Sequence, residues 1–187
     1  MDWTWAHYCG LTLNWNHLDQ YADITITSYI SNVLVRFQHK SSKPTHTPYP
    51  ITYSNSSVPY QNAVQKEISP QLNTKVTKTI QQIIGCLLYY ARALDNTLVV
   101  ALNTISQTQA KPTVTTKTLC CHLLDYCATY PNVGLRSNAI NMILHVNSDA
   151  SFLDAPKAKS RIAGYFHFPQ TTKSINNASI LIECLMS

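Results

Sequence analysis

Ile80, Ile83, Ile84, Leu87, Leu88, Ala91 and Leu94 recur at helical spacing without a break, forming one apolar stripe about four turns long. A face that wide must be buried against other elements, so the chain is committed to a helical packing centre. Two more helical patterns follow. Asp95 or Asn96 can cap one that carries Leu98, Ala101, Leu102 and Ile105, and Pro112-Thr113 introduces another that runs to Tyr130 before the Pro131-Asn132 stop. These three are expected to pack together as a bundle over residues 76–132. Upstream, residues 8–16 and 21–26 alternate as a hairpin. Thr27 or Ser28 then caps a helix whose Ile30, Val33, Leu34 and Phe37 fall at i, i+3, i+4 and i+7.

Between that helix and the bundle lies a stretch rich in Ser, Thr, Asn, Gln and proline, including Pro44, Pro48, Pro50, Pro59 and Pro70. It cannot bury enough apolar surface to order itself, so residues 39–75 read as a flexible linker. The expected organisation is therefore residues 1–38, the linker, the helical region 76–132, and strands over 133–187. The fold class is α+β: an N-terminal β-hairpin and helix, a central three-helix bundle, and a partial C-terminal sheet.

The C-terminal strands carry the most suggestive acid. In Met142-Ile-Leu-His-Val-Asn-Ser-Asp149, alternate side chains point opposite ways, which sets His145, Asn147 and Asp149 on one face. A carboxylate at the end of a strand is costly unless a metal or hydrogen bonds satisfy it. Read alone, Asp149 fits a strand-end turn aspartate equally well.

Six cysteines occur in 187 residues. Met1-Asp-Trp-Thr-Trp lacks the basic region and apolar core of a secretory leader, so reduced thiols and an intracellular protein, in cytoplasm or nucleus, are expected. No apolar run nears the roughly 20 residues that span a bilayer. Cys120-Cys121-His122 with Cys127 could suggest zinc, but Leu119, Leu123, Tyr126, Cys127 and Tyr130 share one helical stripe and Cys121 faces elsewhere. Core cysteine accounts for the pattern better. Catalysis by Cys121 and His122 is disfavoured, because adjacent helical residues do not face each other.

Five short motifs in order resemble the end of a copia-type LTR-retrotransposon reverse transcriptase and the start of its ribonuclease H. They are Tyr8-Cys-Gly-Leu-Thr-Leu with Tyr29-Ile-Ser-Asn-Val-Leu-Val-Arg-Phe37; Ile84-Gly-Cys-Leu-Leu-Tyr89; Leu123-Leu-Asp-Tyr126 with Gly134-Leu135; Ser148-Asp149-Ala150; and Ser160-Arg-Ile-Ala-Gly-Tyr165. The family's Thr-Arg-Pro-Asp-Ile reads Ala91-Arg-Ala-Leu-Asp95 here, so only Arg92 and Asp95 carry over. The resemblance implies a Pol polyprotein that copies element RNA into DNA and degrades the RNA of the hybrid. It makes Asp149 the first metal-binding carboxylate of a ribonuclease H, with Mg2+ as the parent enzyme's cofactor.

The chemistry expected of this chain alone is nonetheless incomplete. Two-metal polymerase and nuclease centres need several carboxylates around ions about 4 Å apart. The polymerase Tyr-x-Asp-Asp hairpin is missing, and Tyr21-Ala-Asp23-Ile24 is a decoy with isoleucine at the second acidic position. After Asp149 only Asp154, in a turn sequence, and Glu183, in an apolar strand, remain. The glutamate-bearing helix of the family would lie beyond Ser187. No tight Mg2+ binding is expected.

Arg36, Lys40 and Lys43 cluster after the first helix, and Lys157, Lys159 and Arg161 cluster after Asp149. The resemblance implies that such cations contact the phosphates of an RNA–DNA hybrid; a solvated loop is the plainer account of short clusters. Two function classes follow. One is a catalytically incomplete segment working with the remainder of the Pol polyprotein. The other is a non-enzymatic nucleic-acid-binding remnant kept by a host. Neither involves a membrane.

Overall fold

A computed structural model describes residues 5–41, 43–50, 69–139, 143–155, 159–167 and 179–186. Among these residues the arrangement is α+β, with two antiparallel sheets and four α-helices. Strands β1 (Trp5–Tyr8), β2 (Leu11–Asn16) and β3 (Tyr21–Thr25) run consecutively. Cys9 and Gly10 both take positive φ, 51° and 82°, the geometry of a tight two-residue hairpin turn in which glycine carries the more strained position. Asn16 closes the next turn, its Oδ1 accepting from the Leu18 and Asp19 amides at 3.1 and 2.9 Å.

Helix α1 (Tyr29–Arg36) follows. Ser28 is its N-cap, as expected, but in a left-handed conformation with no side-chain capping bond. Helix α2 (Thr74–Ala93) buries Ile80, Ile83, Ile84, Leu87 and Ala91, the stripe read from sequence. Asn73 caps it, Oδ1 accepting from the Val76 amide at 2.9 Å. Asp95 caps a short 3-10 turn (Asn96–Leu98) that leads directly into α3 (Val99–Ser106). Helix α4 (Val114–Thr129) begins with a reciprocal capping box between Thr113 and Thr116. Its entry is clamped to the entry of α2: Leu72 donates to the Pro112 carbonyl at 2.9 Å and Val114 to that of Pro70 at 3.2 Å.

The helices share one core with the first sheet. Leu87, Leu98 and Leu123 are wholly buried, Ile26, Ile30 and Val33 join them, and Leu11, Ile24 and Leu135 pack at its edge. Burial of side chains this size contributes roughly 1.5–3 kcal/mol each, which is why the bundle draws α1 and the sheet onto itself.

Two expectations are corrected. The strands from Gly134 onward do not all form a separate sheet: β4 (Gly134–Asn138) pairs antiparallel with β3, Ile24 opposite Leu135. Arg136 grips Asp23 through two 2.7 Å bonds while its guanidinium sits 4.0 Å over the Tyr21 ring. Nor is all of 39–75 a linker without fixed contacts, because His39, Thr45 and Thr47 are seated on α4. His39 Nε2 lies 2.8 Å from Asp125 Oδ1, the Thr45 amide donates to Thr129 Oγ1 at 2.9 Å, and His122 Nε2 donates to the Thr47 carbonyl at 2.9 Å. Polar pairs more than seventy positions apart hold it, and a local deficit of apolar residues says nothing about them. Residues 69–75 are fixed too, by the bond from Leu72 to the Pro112 carbonyl and by the start of α2, while residues 42 and 51–68 lie outside the described residues.

Strands β5 (His145–Ala155), β6 (Lys159–His167) and β7 (Ser179–Met186) make the second sheet, in that order. Apolar residues on and beside β5 and β6 face solvent: Leu144 and Val146 are about half exposed, and Ile162 opposes Ala150 on the same face as Val146. The side chains of Ile180 and Ile182 on β7 lie outside the described residues.

Candidate nucleic-acid interface

The outer face of α2 is the most functionally suggestive surface. At 100° per residue, Lys75, Lys78, Gln82, Gly85, Tyr89 and Arg92 fall within an arc of about 100°, and all six are exposed. Lys75 and Arg92 stand about 26 Å apart along the axis. The helix contains no Asp or Glu. From Ile24 to Leu94 the sequence offers a single acid, Glu67, against Arg36, Lys40, Lys43, Lys66, Lys75, Lys78 and Arg92. Nothing in that helix offsets its cations.

Gly85 sits at the middle of this face. A Cβ built there would meet nothing within 4 Å, so packing does not require glycine. A mid-helix glycine costs about 1 kcal/mol relative to alanine. What it leaves is bare helix backbone on an open face, to which a polymer backbone can approach closely. Tyr89, 41% exposed, flanks it; its hydroxyl donates to the Cys9 carbonyl and its ring tilts against Tyr29 at 5.8 Å. That bond also ties the face to the β1–β2 turn.

Of the cations expected from sequence, Arg36 is brought to this surface. Its Nη1 donates to Cys86 Sγ at 3.7 Å, and Cys86 borders the arc; the guanidinium also lies 5.4 Å from the Phe37 ring centre. Lys40 and Lys43 are exposed on the segment seated along α4. Lys157 lies outside the described residues, as do the side chains of Lys159 and Arg161 on β6. Lys75, Lys78 and Gln82 were not picked out from the sequence, and Gly85, Tyr89 and Arg92 stood there only as motif residues, not as contacts to nucleic acid. Their signal was available: the buried stripe of α2 fixes the opposite face, and that face has cations and no acid.

Asp149 is exposed on β5, with Oδ1 accepting from the next amide, that of Ala150, at 2.8 Å. The register places it opposite Ala163, and Ala163 opposite Glu183. Two strand spacings, about 10 Å, therefore separate the backbones of Asp149 and Glu183. The side chains of Glu183 and Asp154 lie outside the described residues. Among the described residues no group of three His, Cys, Asp or Glu converges to hold a metal ion. Among the described side chains Asp149 has no second carboxylate beside it, and one carboxylate by itself does not fit a two-Mg2+ centre.

The cysteines on α4 take core positions. Burial pushes the thiols of Cys120 and Cys127 up to about 12, and raises that of Cys121 as well, so none is poised as a thiolate. His122 is engaged by the Thr47 carbonyl. Among the described residues no helix is long and apolar enough to cross a membrane. Compared with known proteins, the chain matches no family profile, no curated protein and no solved structure.

Proposed function

We propose that this chain is a duplex-binding, non-catalytic segment of a copia-type reverse transcriptase–ribonuclease H polyprotein, working inside the cell. It holds an RNA–DNA hybrid by its phosphates along the outer face of α2, with Arg36 at the border. The observation that carries this reading is the acid-free run of Lys75, Lys78 and Arg92 around the exposed Gly85. Lys and Arg that neutralise phosphates supply affinity without reading sequence, as suits a protein that must follow any template. The five ordered motifs support the family assignment, and Mg2+ belongs to the chemistry of the parent enzyme. A host-kept nucleic-acid-binding remnant would use the same face.

The test is fluorescence anisotropy with a labelled RNA–DNA hybrid at low salt. Binding is expected, and replacing Lys75, Lys78 and Arg92 together by Gln should abolish most of it. Equal binding by the triple variant would remove the reading. Mg2+-dependent hybrid cleavage lost in Asp149→Asn would overturn its non-catalytic part.

A further inference from the structure

We propose that His145 and His167 form a two-histidine site for a divalent transition metal, with Zn2+ as the natural candidate, clamping β5 to β6. The two residues are directly opposed in the antiparallel register, so their side chains leave the same face of the sheet. Their ring centroids lie 5.3 Å apart at an interplanar angle of 54°. An imidazole bound through nitrogen at about 2.1 Å has its centroid about 3.2 Å from Zn2+, so two imidazoles on one tetrahedral ion have centroids about 5.2 Å apart. The observed spacing therefore matches that of a shared ligand pair, within the wider range open to two rings in contact.

A second observation is independent of that distance. His167 is only 8% exposed, and its Nδ1 is buried without a hydrogen-bond partner among the described residues. Buried polar atoms are almost always satisfied, so this nitrogen calls for a partner. Tyr165, with its ring centroid 4.9 Å from that of His167, flanks the same imidazole, and among the described residues the other ring beside it is His145. Neutral imidazole suits Zn2+, Ni2+ and Cu2+ and disfavours Mg2+ and Ca2+, with solvent completing the shell. The site is separate from Asp149, four strand positions or about 13 Å along β5.

The whole chain is titrated with Co2+, whose visible ligand-field bands report coordination, then with Zn2+ to displace it. Binding is expected with bands typical of nitrogen and oxygen ligands, and His145→Ala should weaken it more than about tenfold, since even outer-shell losses cost that much. Because His167 is buried and its alanine variant could unfold, the imidazole nitrogens of His167 are also followed by NMR. They should shift on adding Zn2+ to the unmodified protein and stay in place in His145→Ala. No binding by the unmodified protein, equal binding by His145→Ala, or a thiolate-to-cobalt charge-transfer band would each overturn the site.

Discussion

Replacing Arg92 by Gln probes the α2 face by a quantity that general loss of fold does not imitate: the salt dependence of duplex binding. Each phosphate neutralised on a duplex contributes about 0.9 to the slope of log affinity against log salt. If Lys75, Lys78 and Arg92 each take one phosphate, the face supplies a slope of about −2.7. Affinity should then fall about 40-fold between 50 and 200 mM salt. Arg92→Gln lowers that slope to about −1.8, so the same change of salt should cost only about 12-fold. The assay is anisotropy of a labelled hybrid over a salt series, on a variant whose circular dichroism matches that of the unmodified protein. Arg92 is exposed at the end of α2 and makes no ion pair among the described residues, so its loss should leave folding intact. An unchanged slope in Arg92→Gln, and again in the triple variant, would refute the assignment of phosphate contacts to this helix.

Three further outcomes follow from the packing. Tyr90 is buried, stacked on Tyr29 at 5.6 Å, and its Oη accepts from the Val133 amide at 3.3 Å. Tyr90→Phe should therefore cost about 1 kcal/mol and lower Tm by roughly 2–4 °C in calorimetry; an unchanged Tm would show that the amide is satisfied elsewhere. In the native protein at pH 8, exposed Cys9 should react at once with a thiol reagent, while Cys120 and Cys127, pushed up to about 12 by burial, should react only on unfolding. Fast labelling of Cys127 would contradict the core. The Arg136 guanidinium, chiefly by hydrogen bonding, holds the Asp23 carboxyl below its ordinary range. This contribution is present above the unfolded value and is lost as pH falls through the depressed folded one. The Tm gap between the unmodified protein and Arg136→Gln should be visible at pH 7 and close as the pH drops below about 4; a gap that persists in stronger acid would point to another role for Arg136.

The helices were legible because their signals are local. The Ile80–Leu94 stripe, the Asp95 cap and the Pro112-Thr113 start each act within a few residues, and all reappear in the structure. What escaped was set by long-range partners. Gly134–Asn138 reads as a strand from its own residues, but its neighbour is decided by Arg136 reaching Asp23 and by Leu135 meeting Ile24 at the core. The seating of the segment after α1 depends on His39, Thr45 and Thr47 finding Asp125, Thr129 and His122. The outer face of α2 was missed for a different reason: periodicity marks what is hidden from water, and a binding surface is what remains. Asp149 stood out in the sequence because of its motif, whereas its surroundings depend on register, which a strand does not announce.

The pairing of β4 with β3 has a consequence for how the protein is made. Asp23 and its partner Arg136 are 113 positions apart. At 5–20 residues per second, roughly 6 to 23 s pass between their emergence from the ribosome. For that interval β3 presents a bare edge, able to recruit a strand from a neighbouring nascent chain before its own arrives. Assembly of the first sheet is thus a waiting problem, and a holding chaperone or a slow stretch of codons would act on yield without touching the finished fold.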